Sequence, residues 1–471
     1  MRYRRMKTWV SALAVLSLIL WTGLASAEMP KNVILMISDG MGYNTVKATN
    51  YYTGTTPIYE NFAVKYGVST FSAGKPGAPA IGYDPGQAWS NFGYVATPGS
   101  MTDSASAATA LATGVKIYDN QLNITTTGTP LKTITEIAKD LGKSAGVVTT
   151  VQWSHATPAG MFAHNASRNN YAAIANEMLG STSPLNVIMG AGNPNYDDSG
   201  KYQLTPKSAN YVGGSATWSA LNGGTLNGWT HIQDKAAFEA LANNPNPPLD
   251  KVVGTFQAYS TAQQSRDAAV KGSDPANPSG VALNTNVPSL ATMSQGALNV
   301  LNKNTNGFFL MVEGGAVDWA NHANQLGRMI EEQMDFNAAV QAVYDWVNAN
   351  SSWNDTLLIV TADHECGHLW GPTPGTFNDV VDNGVGNLPG AHFNSGDHTN
   401  ALIPLYAIGA GANLLEGYAD QFDPVRGLYV DNTEIFQVMN GTAHVPIPAS
   451  VLLLGSGLIG LGFLRRKQPC A

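Results

Sequence analysis

Val33-Ile34-Leu35-Met36-Ile37-Ser38 runs straight into Asp39-Gly40, and this stretch decides the fold. An unbroken apolar run of strand length reads as a strand buried on both faces, which belongs in a parallel sheet rather than in a half-solvated antiparallel one. The design recurs. Gly307-Phe308-Phe309-Leu310-Met311-Val312 leads into Glu313-Gly314-Gly315, and Leu357-Leu358-Ile359-Val360-Thr361-Ala362 leads into Asp363-His364. Ala145-Gly146-Val147-Val148-Thr149-Thr150-Val151 is followed closely by His155 and Thr157. In open α/β sheets, sites form beyond the carboxyl ends of the strands. One strand ending in a carboxylate caps a loop; three ending in Asp, Glu and Asp-His predict a shared polar site.

Outward from these strands lie the other candidate parts. Thr102-Asp103-Ser104-Ala105-Ser106-Ala107-Ala108-Thr109-Ala110 sets a hydroxyl behind a carboxylate at the start of a helix that should close near Gly114. A helix start offers free backbone N–H groups and a positive dipole end, which suit a phosphate; read alone, the same residues are a plain N-cap. Asp318 and His322 are four apart, so a helix carries both on one face, and their oxygen and imidazole donors suit zinc. His398, in Gly396-Asp397-His398-Thr399-Asn400, precedes another apolar run and is by itself an ordinary loop histidine.

Taken together, Asp39-Gly40-Met41-Gly42, Thr102-Asp103-Ser104-Ala105, His155-Ala156-Thr157-Pro158-Ala159, Ser167-Arg168, Glu313-Gly314, Asp318 with His322, Thr361-Ala362-Asp363-His364 and His398-Thr399 resemble the ordered motifs of alkaline phosphatases. The resemblance spans residues 32 to about 410. It implies an α/β fold, a three-layer α/β/α sandwich with a large, mostly parallel central sheet and a crown-like insertion. It also implies two zinc ions and a third ion, Mg2+, around a phosphorylated serine. Asp318, His322 and His398 would hold the first zinc; Asp39, Asp363 and His364 would hold the second and so activate Ser104; Asp39, Thr157 and Glu313 would hold the third ion. Arg168 would bind two phosphate oxygens. The chemistry agrees with these roles, because a serine hydroxyl needs a base or a metal to become a nucleophile, and paired metals clamp the entering and leaving oxygens of an in-line displacement.

Two positions depart from the common bacterial pattern. His155 stands where many relatives have Asp, and Trp319 where many have Lys. A nitrogen donor near the third ion shifts its preference from Mg2+ toward Zn2+ or Co2+. Trp319 removes a cation near the phosphate, which bears on product release. His364-Glu365-Cys366-Gly367-His368 also spells the zinc-protease pattern H-E-x-x-H, which works only on a helix. Here it follows a β-branched run and is succeeded by Gly371, Pro372 and Pro374, so a strand-to-loop passage is expected, with Cys366 a small buried thiol.

The 471-residue chain has a formal net charge of −8 and no cationic cluster away from its ends, which argues against nucleic-acid binding. Residues 1–27 read as a signal peptide: Arg2, Arg4, Arg5 and Lys7, an apolar stretch from Trp9 to Leu24, then Ala25-Ser26-Ala27. Residues 28–444 form the catalytic domain in this reading. Residues 445–471, with Val445-Pro446-Ile447-Pro448, an apolar run from Val451 to Leu464 and Arg465-Arg466-Lys467, resemble a PEP-CTERM sorting tail. That tail implies export, transient membrane association and a place in the periplasm, outer envelope or extracellular matrix of a Gram-negative bacterium; a permanent anchor is the alternative. Of two cysteines, Cys470 falls in this tail, so no disulfide is expected in the mature chain. Residues 191–288 are rich in Asn, Gly, Pro and Ser and read either as a substrate-facing, crown-like insertion or as a solvated ornament, with a helical patch at 234–242. The short stretch 73–87 reads as a loop.

The function expected is an exported phosphomonoesterase acting on small phosphate monoesters through Ser104, with a homodimer implied by the family. A relative specialised for phosphodiesters or sulfate esters, and a metal-stabilised surface protein without catalysis, are the rival readings.

Overall fold

A computed structural model describes residues 29–267 and 277–442. The signal-like segment, the sorting-like tail and Cys470 lie outside the described residues. Eleven strands form one sheet in the order Gln421–Asp423, Gly427–Asp431, Val64–Ser69, Ile403–Gly409, Thr356–Thr361, Asn32–Ser38, Phe308–Gly314, Ser144–Gln152, Val187–Ala191, Val252–Thr255 and Thr230–Ile232. Only Ile403–Gly409 and Gln421–Asp423 run against the rest. The strand that opened the sequence reading sits in the middle, paired in parallel with Phe308–Gly314 on one side and Thr356–Thr361 on the other. All seven of its residues are buried, as an unbroken apolar run requires.

Register brings the strand ends level. Ile37 lies opposite both Glu313 and Thr361, and Thr149 lies opposite Glu313. Asp39 and the Asp363-His364 pair therefore leave the sheet at one height, beside Glu313.

Helices cover both faces. Leu290–Leu301 and Leu326–Asn350 pack where Leu310 and Gly314 point: a methyl at Gly314 would press on Phe336, and one at Gly146 on Leu301 and Leu310. The alternate residues of the same strands, Thr149 and Glu313, face the group built from Ser104–Thr113, Ile134–Asp140 and Ala156–Gly160. Ser104–Thr113 is buried on every side, which its small residues allow. A Cβ on Gly160 would come within 2.6 Å of the Ala108 methyl, so the two helices touch almost backbone to backbone. The helix ends at Gly114 in a left-handed cap, where the sequence placed its close.

The stretch 191–288 is of mixed character. Thr230–Ile232 and Val252–Thr255 extend the central sheet in parallel beyond Val187–Ala191 and so form its edge. Three- and four-residue strands embedded in Asn, Gly and Pro are too short to leave a periodic signal. The helical patch is present as Lys235–Ala242. The 73–87 loop ends in a short helix, Pro85–Ser90, capped by Asp84. The H-E-x-x-H segment is not helical: Glu365–Cys366 pairs with His398–Thr399, Gly367 and His368 take positive φ of 89° and 45°, and Leu369–Trp370 follows as strand. Among the described residues no helix is long and apolar enough to cross a membrane.

Candidate active site

Ser104 opens its helix with Asp103 as the N-cap. Asp103 Oδ1 accepts the Ser106 amide at 3.0 Å and the Ser106 hydroxyl at 2.8 Å, which fixes the helix start. Asp103 Oδ2 holds Arg168, whose Nη1 donates to it at 2.8 Å, and also accepts the Asn120 amide at 3.1 Å. Burial pushes the Asp103 carboxyl up, but the Arg168 guanidinium and these donors outweigh it and keep it below the usual value. One residue thus positions both the hydroxyl and the guanidinium beside it.

Ser104 Oγ lies 3.2 Å from His364 Nε2, and that nitrogen also lies 3.1 Å from Asp363 Oδ2 and 3.6 Å from Asp39 Oδ1. His364 Nδ1 has no hydrogen-bond partner, so nothing orients the ring as a base for Ser104 in the manner of a Ser–His–carboxylate relay. The ring instead stacks on His398, centroids 3.6 Å apart at 23°.

A second group converges nearer the surface. His322 Nε2 is 3.0 Å from His398 Nε2 and 3.4 Å from Asp318 Oδ2, and His398 Nε2 is 3.5 Å from Asp318 Oδ1. A tetrahedral ion with zinc-like bonds of about 2.0–2.1 Å separates its ligand atoms by about 3.3 Å, so the spacing fits. The other ring nitrogens are tied to backbone carbonyls, Nδ1 of His322 to Gly396 and Nδ1 of His398 to Thr102, both at 2.8 Å. That is the outer support expected of a metal-binding imidazole. Cys366 Sγ joins this group as a buried thiol whose pKa burial drives up, and it sits 3.9 Å from the Asp318 carbonyl oxygen.

The third set centres on Glu313. Thr149 donates to its Oε2, and the Thr157 hydroxyl adjoins it from the helix Ala156–Gly160. Burial pushes Glu313 up to about 7 against these hydroxyls. Burial and then Asp318 lift Asp363 to about 6, and burial with Asp363, Asp318 and Glu313 raises Asp39 well above the carboxylate range. His364 is driven down, by burial first and then by the neighbouring histidines. Asp39 Oδ1, Glu313 Oε1, Asp318 Oδ1 and Asp363 Oδ2 are buried and accept no hydrogen bond. Four carboxylates crowded this way need cations, and the donor set of oxygen and imidazole fits zinc and magnesium.

These parts open into a cleft of 740 Å³ lined by Ser104, His155, Arg168, Asp318, Trp319, His322 and His398, together with Gln264 and Ser265. His155 packs edge to face on Trp319 (5.6 Å, 62°) and stacks on Tyr171 (5.9 Å, 11°); burial and then Arg168 lower its pKa to about 3, which leaves a neutral imidazole. All thirteen candidate residues from the sequence therefore gather in one region. His368 does not: it turns away to stack on Phe92 (4.4 Å, 26°). Gln264, Ser265 and the supporting carbonyls of Thr102 and Gly396 escaped the sequence reading, since polar loop residues and backbone oxygens carry no pattern.

The alkaline phosphatase family profile matches residues 30–384. Alkaline phosphatase 3 of Bacillus subtilis (strain 168) is 30% identical over 377 residues, covering 75% of this chain and 68% of that protein. The structure of alkaline phosphatase from the Antarctic bacterium TAB5 superposes with a TM-score of 0.61 at 26% identity, over 88% of this chain and 98% of that one. A His-to-Asp mutant of the TAB5 enzyme, solved with Mg bound in the M3 site, superposes at 0.60 with 26% identity over 88% and 97%. With a profile match across three quarters of its length and this site, the chain belongs to the alkaline phosphatase family of phosphomonoesterases.

Proposed function

We propose that the chain is an exported, metal-dependent phosphomonoesterase that works through a covalent phosphoserine at Ser104 and releases inorganic phosphate and an alcohol. The observation that carries this reading is the position of Ser104 Oγ, 3.2 Å from a ring nitrogen that itself converges with two buried carboxylate oxygens, Asp39 Oδ1 and Asp363 Oδ2, that accept no hydrogen bond. In it Asp39, Asp363 and His364 would hold one zinc, Asp318, His322 and His398 another, and Asp39, Thr157 and Glu313 a third ion. When bound, such ions lower the pKa of a coordinated hydroxyl or water and neutralise charge on the phosphoryl oxygens.

The chain's own residues do the rest. Ser104 Oγ attacks phosphorus in line as the bond to the alcohol oxygen breaks. Its hydroxyl proton passes to solvent, and the departing alkoxide takes a proton from water. Water then attacks the phosphoserine, freeing phosphate and restoring the hydroxyl. Arg168 presents a planar pair of donors to two phosphoryl oxygens, and Asp103 fixes that fork against the helix start. The amides at the start of Ser104–Thr113 add partial positive charge beneath the phosphate.

In the solved relative whose histidine was exchanged for aspartate, Mg is bound in the M3 site. We read His155 as the corresponding residue here, so that the third site prefers Zn2+ or Co2+ to Mg2+. Residues 28–444 are the catalytic domain in this account, 1–27 direct export to the envelope or beyond, and 445–471 give transient membrane association; the active form is a homodimer. The test is hydrolysis of an aryl phosphate monoester beside a diester by the zinc- and magnesium-loaded protein. Chelator-sensitive turnover of the monoester supports the reading. Preferential diester turnover moves the chain to a sister activity, and silence with metals bound overturns it.

A further inference from the structure

Two arginines, each only 3% exposed, are spent on one short loop. Arg328 donates to the carbonyl oxygens of Gln263, Gln264 and Arg266. Arg266 donates to those of Gln263, Val281 and Ala282, and also to the Ser279 hydroxyl and Glu331. The loop is also pinned to the sheet: Ala262 N donates to Thr150 O at 2.8 Å, at the carboxyl end of Ser144–Gln152, and Ser265 N donates to Thr261 Oγ1 at 2.8 Å. Gly327 lets the long helix approach closely, since a Cβ there would meet the Pro278 carbonyl oxygen at 2.4 Å.

What this scaffold presents is Gln264 and Ser265, which line the same cleft as Ser104, Arg168 and Trp319. Ser265 Oγ donates to Gln264 Oε1 at 2.8 Å, and Gln264 Nε2 donates to Gln325 Oε1 at 3.3 Å. These bonds orient both side chains yet use only part of their capacity. Gln264 keeps a second N–H and a second acceptor site, and the Ser265 oxygen keeps its acceptor lone pairs. A polar edge held in the same cleft as the Trp319 indole suits an alcohol that has a flattish carbon skeleton with hydroxyls around it.

We infer that Gln264 and Ser265 recognise the alcohol half of the substrate and select polyhydroxylated alcohols, that is, sugar phosphates, over plain aryl esters. This rests on the phosphomonoesterase reading above. The arginines are positioning residues; Gln264 and Ser265 touch the substrate. Gln264 and Ser265 are half-buried, so a substrate hydroxyl that hydrogen-bonds them gains an interaction that the analogue without one lacks.

The experiment compares kcat/KM for glucose 6-phosphate and phenyl phosphate in the full-length, metal-loaded protein, its Gln264→Ala and Ser265→Ala variants, and the double variant. Metal content and unfolding midpoints are measured on the same samples. Each single change should lower the glucose 6-phosphate to phenyl phosphate ratio about threefold and the pair about tenfold. Ser265→Thr, which keeps the hydroxyl, should restore most of the ratio, and the inhibition constant for inorganic phosphate should move by less than about twofold. An unchanged ratio, or a parallel fall for both substrates, overturns the inference while leaving the reaction class standing. A parent protein that hydrolyses neither ester overturns the reading beneath it, and this inference with it.

Discussion

The protein buries two clusters of acidic side chains and neutralises them differently. Asp39, Glu313, Asp318 and Asp363 meet at the carboxyl edge of the sheet, where Arg168 is already committed to Asp103. Glu331, Glu332 and Asp335 lie on the long helix Leu326–Asn350, where Arg266 pairs with Glu331 and Asp335 accepts the Leu290 amide at 3.2 Å. Glu332 is pushed up to about 8, by burial first and then by Glu331 and Asp335, so at neutral pH a proton supplies its counter-charge. Buried acid alone is therefore no mark of a metal site. What distinguishes the first cluster is that its carboxylate oxygens converge with imidazole nitrogens, Asp39 and Asp363 with His364 and Asp318 with His322 and His398, each group within ligand spacing.

That difference can be broken from either side. The largest effect is expected from Asp363→Ala, which removes a ligand from the deeper group: kcat should fall about a thousandfold or more, with metal content per chain falling too. Retained activity with full metal content would show that the deeper group is not a metal site. Arg266→Met attacks the other cluster by stranding Glu331. It should cost about 3–5 kcal/mol in urea unfolding, the usual penalty for leaving a buried charge without its partner, while bound metal stays constant. Metal loss in that variant would mean that the two clusters are one system.

The smallest effect is one of pH. Because the folded-state pKa of Glu332 lies near 8, above the ordinary 4.5, the native protein holds this proton longer than the unfolded chain does. Its stabilising contribution is complete below about 4.5 and is lost as pH rises through about 8. Thermal unfolding of the parent should therefore weaken between pH 7 and 9 more than that of Glu332→Gln. Identical slopes would remove the protonated acid from the account.

The two clusters were unequally legible in the sequence. Asp39, Glu313 and Asp363 each end an apolar run, and hydrophobic continuity is the strongest signal a buried strand leaves, so the sheet and its ligand-bearing edge followed from it. Ser104 and its helix were readable because small residues between Asp103 and Gly114 permit close packing and both caps are explicit. Glu332 gave no sign, because on an amphipathic helix a buried acid and a solvated one look alike in one dimension. Nor did Gln264 and Ser265, whose place depends on arginines acting through backbone carbonyls. His398 was an ordinary loop histidine by itself; only pairing of His398–Thr399 with Glu365–Cys366 brings it over His364.

The most direct measurement is to quench the zinc- and magnesium-loaded protein in acid during turnover of a phosphate monoester and map phosphate on its peptides by mass spectrometry. The account predicts phosphate on Ser104, lost together with turnover in a folded, metal-loaded Ser104→Ala variant. Near-normal turnover in that variant, or no phosphate on Ser104 under active conditions, would contradict it.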